Sequence, residues 1–146
     1  GLAKNNLCQY EEAIKDYDKA IEIDPNNRNA YYNRGLAKNN LGQYEEAIKD
    51  YDKAIELDPN YSKAYNNRGL AKNNLGQYEE AIKDYDKAIE IDPNYRNAYN
   101  NRGNAKNNLG QYQEALKDYK KALELDPNND TARENIKNIQ NQYGFR

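Results

Sequence analysis

The chain has no histidine and only one cysteine, Cys8. The first absence removes the side chain most used as a general base near neutral pH and the commonest zinc ligand. The second rules out an intrachain disulfide and favours a reducing compartment, so the cytoplasm is the expected location. No apolar run approaches the roughly 18 residues of a membrane span, and the opening GLAKNNLCQYEEAIKDY lacks the apolar stretch of a signal peptide. Basic blocks are missing too: 22 Lys and Arg stand against 24 Asp and Glu, for a net charge of −2. Nothing here draws nucleic-acid phosphates or an anionic membrane strongly, so neither is an expected partner. Only 37% of the 146 residues are apolar while 32% are charged, which is thin filling for a compact globule. That balance suits an elongated array in which each small unit buries one face against the next.

What the sequence does have is a period. Pro25, Pro59, Pro93 and Pro127 stand 34 residues apart, as do Tyr10, Tyr44, Tyr78 and Tyr112, and Ala13, Ala47, Ala81 and Ala115. Gly1, Gly35, Gly69 and Gly103 keep the same spacing, and units 28–61 and 62–95 share 30 of 34 residues. Within a unit, Ala47, Ile48, Tyr51, Ala54 and Ile55 fall on one helical face, which predicts a second helix. Ala30, Tyr31, Ala37 and Leu41 mark a first helix, ended at Gly42, where positive φ is free of a Cβ clash. Asp58-Pro59 ends the second helix. Each unit is therefore a pair of short antiparallel helices. Residues 1–27 form a partial first unit, 28–61, 62–95 and 96–129 are whole units, and 130–142 is a solvating C-terminal helix with Ile136 and Ile139 facing unit four. The chain enters the pattern partway through a unit, so residues 1–7 read as the latter half of a first helix.

Tyr31-x2-Arg34-Gly35-x2-Lys38, Leu41-Gly42-x-Tyr44, Ala47-x3-Tyr51-x2-Ala54 and Pro59 resemble a tetratricopeptide repeat, and the pattern covers nearly the whole chain. The resemblance implies an all-α, right-handed α-solenoid whose concave wall is built from the first helices. It also implies a protein-interaction scaffold and no enzyme, cofactor or metal, in line with the lack of any metal-ligand or phosphate-loop spacing. Two columns depart from the family: Arg34, Arg68 and Arg102 replace its leucine, and Lys38, Lys72 and Lys106 replace its aromatic. An arginine near the second helix needs a partner. Asp50, Asp84 and Asp118 recur at matching places, so Arg34–Asp50, Arg68–Asp84 and Arg102–Asp118 are expected ion pairs within one unit.

The concave wall implied by the family is amide rich. It should carry Asn29, Tyr32, Asn33, Leu36, Asn39 and Asn40, then Lys63, Asn66, Asn67, Leu70, Asn73 and Asn74, then Asn97, Asn100, Asn101, Asn104, Asn107 and Asn108. Asparagine is a mediocre helix former, so its repeated use asks for a reason. An amide offers a donor and an acceptor together, as an extended peptide backbone requires. Asn33, Asn67 and Asn101 resemble the asparagine ladders with which some long superhelices of the family grip peptide main chain. Against this, asparagine is common at that family position whatever the ligand, and 25 asparagines also suit a biased genome. The family's two-carboxylate clamp for chaperone C-termini would fall on Tyr32, Leu36, Asn67, Asn97 and Asn101, where only Asn67 agrees. A protein or peptide segment held in this groove is the leading expectation. End-to-end self-assembly through an apolar N-terminal edge (Leu2, Leu7, Tyr10, Tyr17) is the alternative, and nucleic-acid binding a weaker one.

Overall fold

A computed structural model of the chain describes residues 2–144 and the side chains of residues 6–144. Gly1 and the side chain of Leu2, both used above, lie outside the described residues. Eight α-helices follow one another among the described residues: α1 (Leu2–Ile23), α2 (Arg28–Asn40), α3 (Tyr44–Leu57), α4 (Ser62–Asn74), α5 (Tyr78–Ile91), α6 (Arg96–Asn108), α7 (Tyr112–Leu125) and α8 (Asp130–Tyr143). None of them is long and apolar enough to cross a membrane.

The punctuation of the helices is local chemistry. Gly42, Gly76 and Gly110 adopt φ of 77°, 79° and 80°. At the first of these, Gln43 N–H donates to the Lys38 carbonyl (2.9 Å) and Gly42 N–H to that of Asn39 (3.0 Å), closing the helix in a Schellman motif. Glu45 and Glu46 then open α3, where acidic side chains meet the positive end of the helix dipole. At the far end of each unit an aspartate side chain receives the backbone N–H two residues on, as Asp58 does from Asn60 at 3.1 Å, and turns the chain around Pro59.

Most packing is between consecutive helices. α2 lies on α3, α4 on α5 and α6 on α7, while α1–α2, α3–α4, α5–α6 and α7–α8 join successive units. Ala47, Tyr51 and Ala54, with Ala81, Tyr85 and Ala88, are completely buried. The glycine column makes the close approach possible, since a Cβ on Gly35 would stand 2.7 Å from the Tyr51 ring, and one on Gly69 the same distance from Tyr85. α8 seals the last unit, with Ile139 in the cluster of Ala115, Leu116 and Tyr119 and Tyr143 stacked on Tyr112 at 3.8 Å.

One expectation is corrected at the N-terminus. Residues 1–7 were expected to end one helix before a turn and a second helix, but α1 runs from Leu2 to Ile23 without interruption. The physical reason is at position 8. Its equivalents Gly42, Gly76 and Gly110 take positive φ, whereas Cys8 carries a Cβ that disfavours that conformation. The helix therefore continues through the place where the other units turn.

Candidate peptide-binding wall

α2 touches α4 and α4 touches α6, whereas α3, α5 and α7 make no comparable contact with one another. The stack therefore curves with its first helices inside. On this inner layer Asn29, Asn40, Lys63, Asn74, Asn97 and Asn108 are exposed, and Tyr32, Asn33, Leu36, Asn67, Leu70, Asn100, Asn101 and Asn104 are half-buried.

The amides are already partly engaged with the preceding unit. Asn67 Nδ2 donates to the Tyr32 hydroxyl at 2.7 Å and to the Lys63 carbonyl at 3.0 Å, which uses both its hydrogens and turns its Oδ1 the other way. Asn101 Nδ2 donates to Asn66 Oδ1 at 3.1 Å. Asn33 has no such partner among the described residues. It lines a cavity of about 300 Å³ with Leu36, Asn40 and the α1 residues Tyr10, Ala13 and Tyr17. Tyr32 sits between the Tyr61 and Tyr51 rings, with centroids 5.0 and 6.0 Å away. Burial first, and then the nearby Tyr95 and Tyr61, push its hydroxyl up to about 12, against the opposing hydrogen bond from Asn67.

Some members of the expected wall lie elsewhere. Asn66 is only 4% exposed and so is not a groove residue. Its amide spans from Asn101 to the Tyr95 hydroxyl, to which it donates at 3.3 Å. Tyr95 occupies the position before α6 where Asn27 and Asn129 cap α2 and α8 through their side chains, and Tyr95 makes no such cap. Asn39, Asn73 and Asn100 bury carbonyl oxygens that find no partner among the described residues. Asn104 is spent inside the unit, accepting from the Tyr119 hydroxyl at 2.6 Å.

The arginine column is brought together with its aspartates and with more besides. Arg34 donates from Nε and a terminal nitrogen to the two oxygens of Asp50 at 2.9 and 2.7 Å, and its other terminal nitrogen reaches Asp18 of the preceding unit at 2.8 Å. Lys38 joins the same Asp50 at 3.0 Å. The pattern repeats as Arg68 with Asp84 and Asp52, and as Arg102 with Asp118 and Asp86. Each guanidinium also lies over a tyrosine of its own helix: Tyr31 at 5.6 Å, Tyr65 at 5.4 Å and Tyr99 at 5.5 Å. The arginine is thus a bolt between units as well as a pair within one. The bond to Asp50 holds the Arg34 proton above the ordinary range against the pull of burial. For Arg68 and Arg102 burial is the largest single influence and opposes the charge, yet the two aspartates of each, Asp84 with Asp52 and Asp118 with Asp86, together outweigh it. The inter-unit partner had a signal in the sequence. Asp18, Asp52 and Asp86 keep the period, and the column changes to Lys120 where the next arginine position holds Ile136.

The sequence matches the tetratricopeptide repeat family over residues 29–61, 62–95 and 97–129, and a related description, TPR repeat, over residues 9–42. The chain belongs to the tetratricopeptide repeat family, a family of protein-interaction scaffolds. Its fold is similar to that of MamA in a crystal structure, at 25% identity and a TM-score of 0.87 over 97% of this chain and 83% of that one. It is also similar to the first TPR of Spaghetti (RPAP3) bound to the HSP90 peptide SRMEEVD, at 31% identity and a TM-score of 0.78 over 81% of this chain and 94% of that one. The second TPR domain of human RPAP3, in complex with the HSP70 peptide SGPTIEEVD, is 34% identical with a TM-score of 0.72, over 75% of this chain and 92% of that one. No curated protein matches the chain.

Proposed function

We propose that this chain holds an extended peptide segment of a protein partner along the inner layer of α2, α4 and α6, through main-chain hydrogen bonds to Asn33, Asn67 and Asn101. The observation that carries this reading is the orientation of Asn67. With both amide hydrogens spent on Tyr32 and Lys63, what it has left to offer is an acceptor, Oδ1. An extended backbone supplies N–H donors at a regular spacing to such a row. Two similar domains carry peptides, SRMEEVD and SGPTIEEVD, which supports a peptide as the class of ligand.

The ligand itself should differ from those acidic tails. The clamp positions hold Tyr32, Leu36, Asn67, Asn97 and Asn101, so a terminal carboxylate finds no pair of cations there. Three neutral contacts at roughly 0.5–1.5 kcal/mol each give only about millimolar affinity. Apolar contact with Tyr32 and Leu36 must add the rest, so binding is modest and selectivity low.

The first test leaves the protein untouched. A peptide selected against the intact chain is remade with N-methyl groups at alternate residues, and both forms are titrated by calorimetry. Methylation of the face that meets the row should weaken binding by roughly 10-fold or more, about 1.4 kcal/mol. Equal affinity for both forms would show that side chains alone are read. Replacing Asn33, Asn67 and Asn101 by alanine should cost roughly 2–4 kcal/mol of binding. Because Asn67 and Asn101 also bond to neighbouring units, the same variant should lose about 1 kcal/mol of stability per bond, less what alanine returns as a helix former.

A further inference from the structure

We infer that the segment held on the inner layer carries two opposite charges roughly five or six residues apart, an acidic side chain over Lys63 on α4 and a basic one over Glu134 on α8. This pattern presupposes that a peptide is held there at all, and it names the chemistry of that peptide's side chains. The wall runs on past α6. Ala132 and Ile139 of α8 are buried in the columns of Ala30 and Ala37, so α8 docks on α7 as α6 does on α5. The same period lines Glu134 up with Tyr32, Asn66 and Asn100, and Asn135 with Asn33, Asn67 and Asn101. Asn135 is half-buried and adds a fourth amide to the row.

Two charges break an otherwise neutral wall. Lys63 stands where units two and four hold Asn29 and Asn97, and Glu134 where they hold Tyr32 and Asn100. Both are exposed, and neither has an ion-pair partner among the described residues. The other cations of α2, α4 and α6 all have one. Besides the arginine bolts, Arg28 and Arg96 pair with Asp58 and Asp126, while Lys38, Lys72 and Lys106 pair with Asp50, Asp84 and Asp118. On α8, Arg133 is committed to Asp130 at 2.9 Å. Lys137 occupies the column of Gly35, which in the unit of Tyr51 faces the second helix and not the groove.

Such charges select more than they hold. The amide row meets main chain and is indifferent to side chains, whereas an unpaired charge on the wall favours its opposite and repels its like. α4 touches α6. Helices in contact lie about 8–10 Å apart, so two such steps, from α4 to α8, span roughly 16–20 Å. An extended chain covers that distance in roughly five or six residues at about 3.3 Å each. A uniformly acidic segment would suit Lys63 and be repelled at Glu134, and a uniformly basic one the reverse, so a segment of mixed charge is the partner that fits.

A phage-displayed library of random twelve-residue peptides, selected at low salt against the full chain and against Lys63→Glu and Glu134→Lys, tests this. Circular dichroism confirms the fold of each variant, and both positions are exposed surface. The unaltered chain should enrich one acidic with one basic residue at the stated spacing, Lys63→Glu two basic residues and Glu134→Lys two acidic ones. A fluorescein-labelled peptide selected on the unaltered chain should bind Glu134→Lys about three- to tenfold more weakly, and the difference should shrink as salt is raised. Enriched peptides without charges at this spacing, or equal binding to Glu134→Lys, would overturn the charge pattern and leave the asparagine row standing. No enrichment by any of the three proteins would overturn both.

Discussion

Tyr85 and Tyr119 form a matched pair with opposite expectations on losing a hydroxyl. Both rings are buried, at 0% and 1% exposure, and each packs on a glycine whose Cβ would stand 2.7 Å away. They differ in what meets the oxygen. Tyr119 donates to Asn104 at 2.6 Å, but the Asn104 column holds Leu70 in the unit of Tyr85, and the Tyr85 hydroxyl has no partner among the described residues. Tyr119→Phe therefore loses a hydrogen bond while half-buried Asn104 turns to water, a cost of about 1 kcal/mol. Tyr85→Phe removes a polar group desolvated without compensation, which should stabilise by about 1–2 kcal/mol. The two variants should thus separate by roughly 2–3 kcal/mol, or several degrees in Tm at about 2–4 °C per kcal/mol for a chain of this size. Urea and thermal unfolding followed by circular dichroism decide the matter, with Tyr51→Phe, opposite Leu36, expected to behave like Tyr85→Phe. If both Tyr85→Phe and Tyr119→Phe destabilise by the same amount, the Tyr85 hydroxyl is bonded in solution and the reasoning fails.

The remaining predictions concern the bolts, the glycine column and alkaline pH. Arg68→Leu, which restores the family's residue, leaves Asp84 buried with Lys72 as its one cation and should cost about 2–4 kcal/mol. Asp52→Asn, at the exposed end of the same bolt, should cost under about 1 kcal/mol, and chemical denaturation that ranks the two the other way would contradict the geometry. Gly69→Ala gains about 1 kcal/mol in helix propensity but drives a Cβ into the Tyr85 ring, so unfolding curves should show a net loss of about 1–2 kcal/mol. Burial, as the largest cause, pushes the hydroxyls of Tyr51, Tyr85 and Tyr119 above their usual value. A raised folded-state value means that the fold is unaffected by these groups' ionisation below about pH 10 and loses stability as pH climbs beyond it, because the unfolded chain then gives up its phenol protons more readily than the folded one. Tyrosinate absorbance should accordingly rise in two stages, the second coincident with loss of helix, and a single stage ahead of unfolding would count against it.

The sequence by itself determined the repeat. The 34-residue spacing of proline, tyrosine and alanine, the glycine turns and the pairing of an arginine with an aspartate column follow from local preference and helical period, which each unit expresses on its own. Even the break at the N-terminus was written there, as Cys8 in a glycine column, although it takes the uninterrupted α1 to show its effect. What only the tertiary structure decided is how one unit spends the side chains of the next. Asn66 and Asn67 stand side by side on α4, yet one is buried under Tyr95 and the other bonds back to Tyr32 with an oxygen to spare. Likewise the third nitrogen of each arginine goes to the preceding unit, to Asp18, Asp52 or Asp86. Helical period says which face a residue occupies. Whether an amide on that face is free for a ligand or already committed depends on a neighbour some 35 residues away, as Tyr32 is to Asn67, and stacking alone brings the two within hydrogen-bond distance.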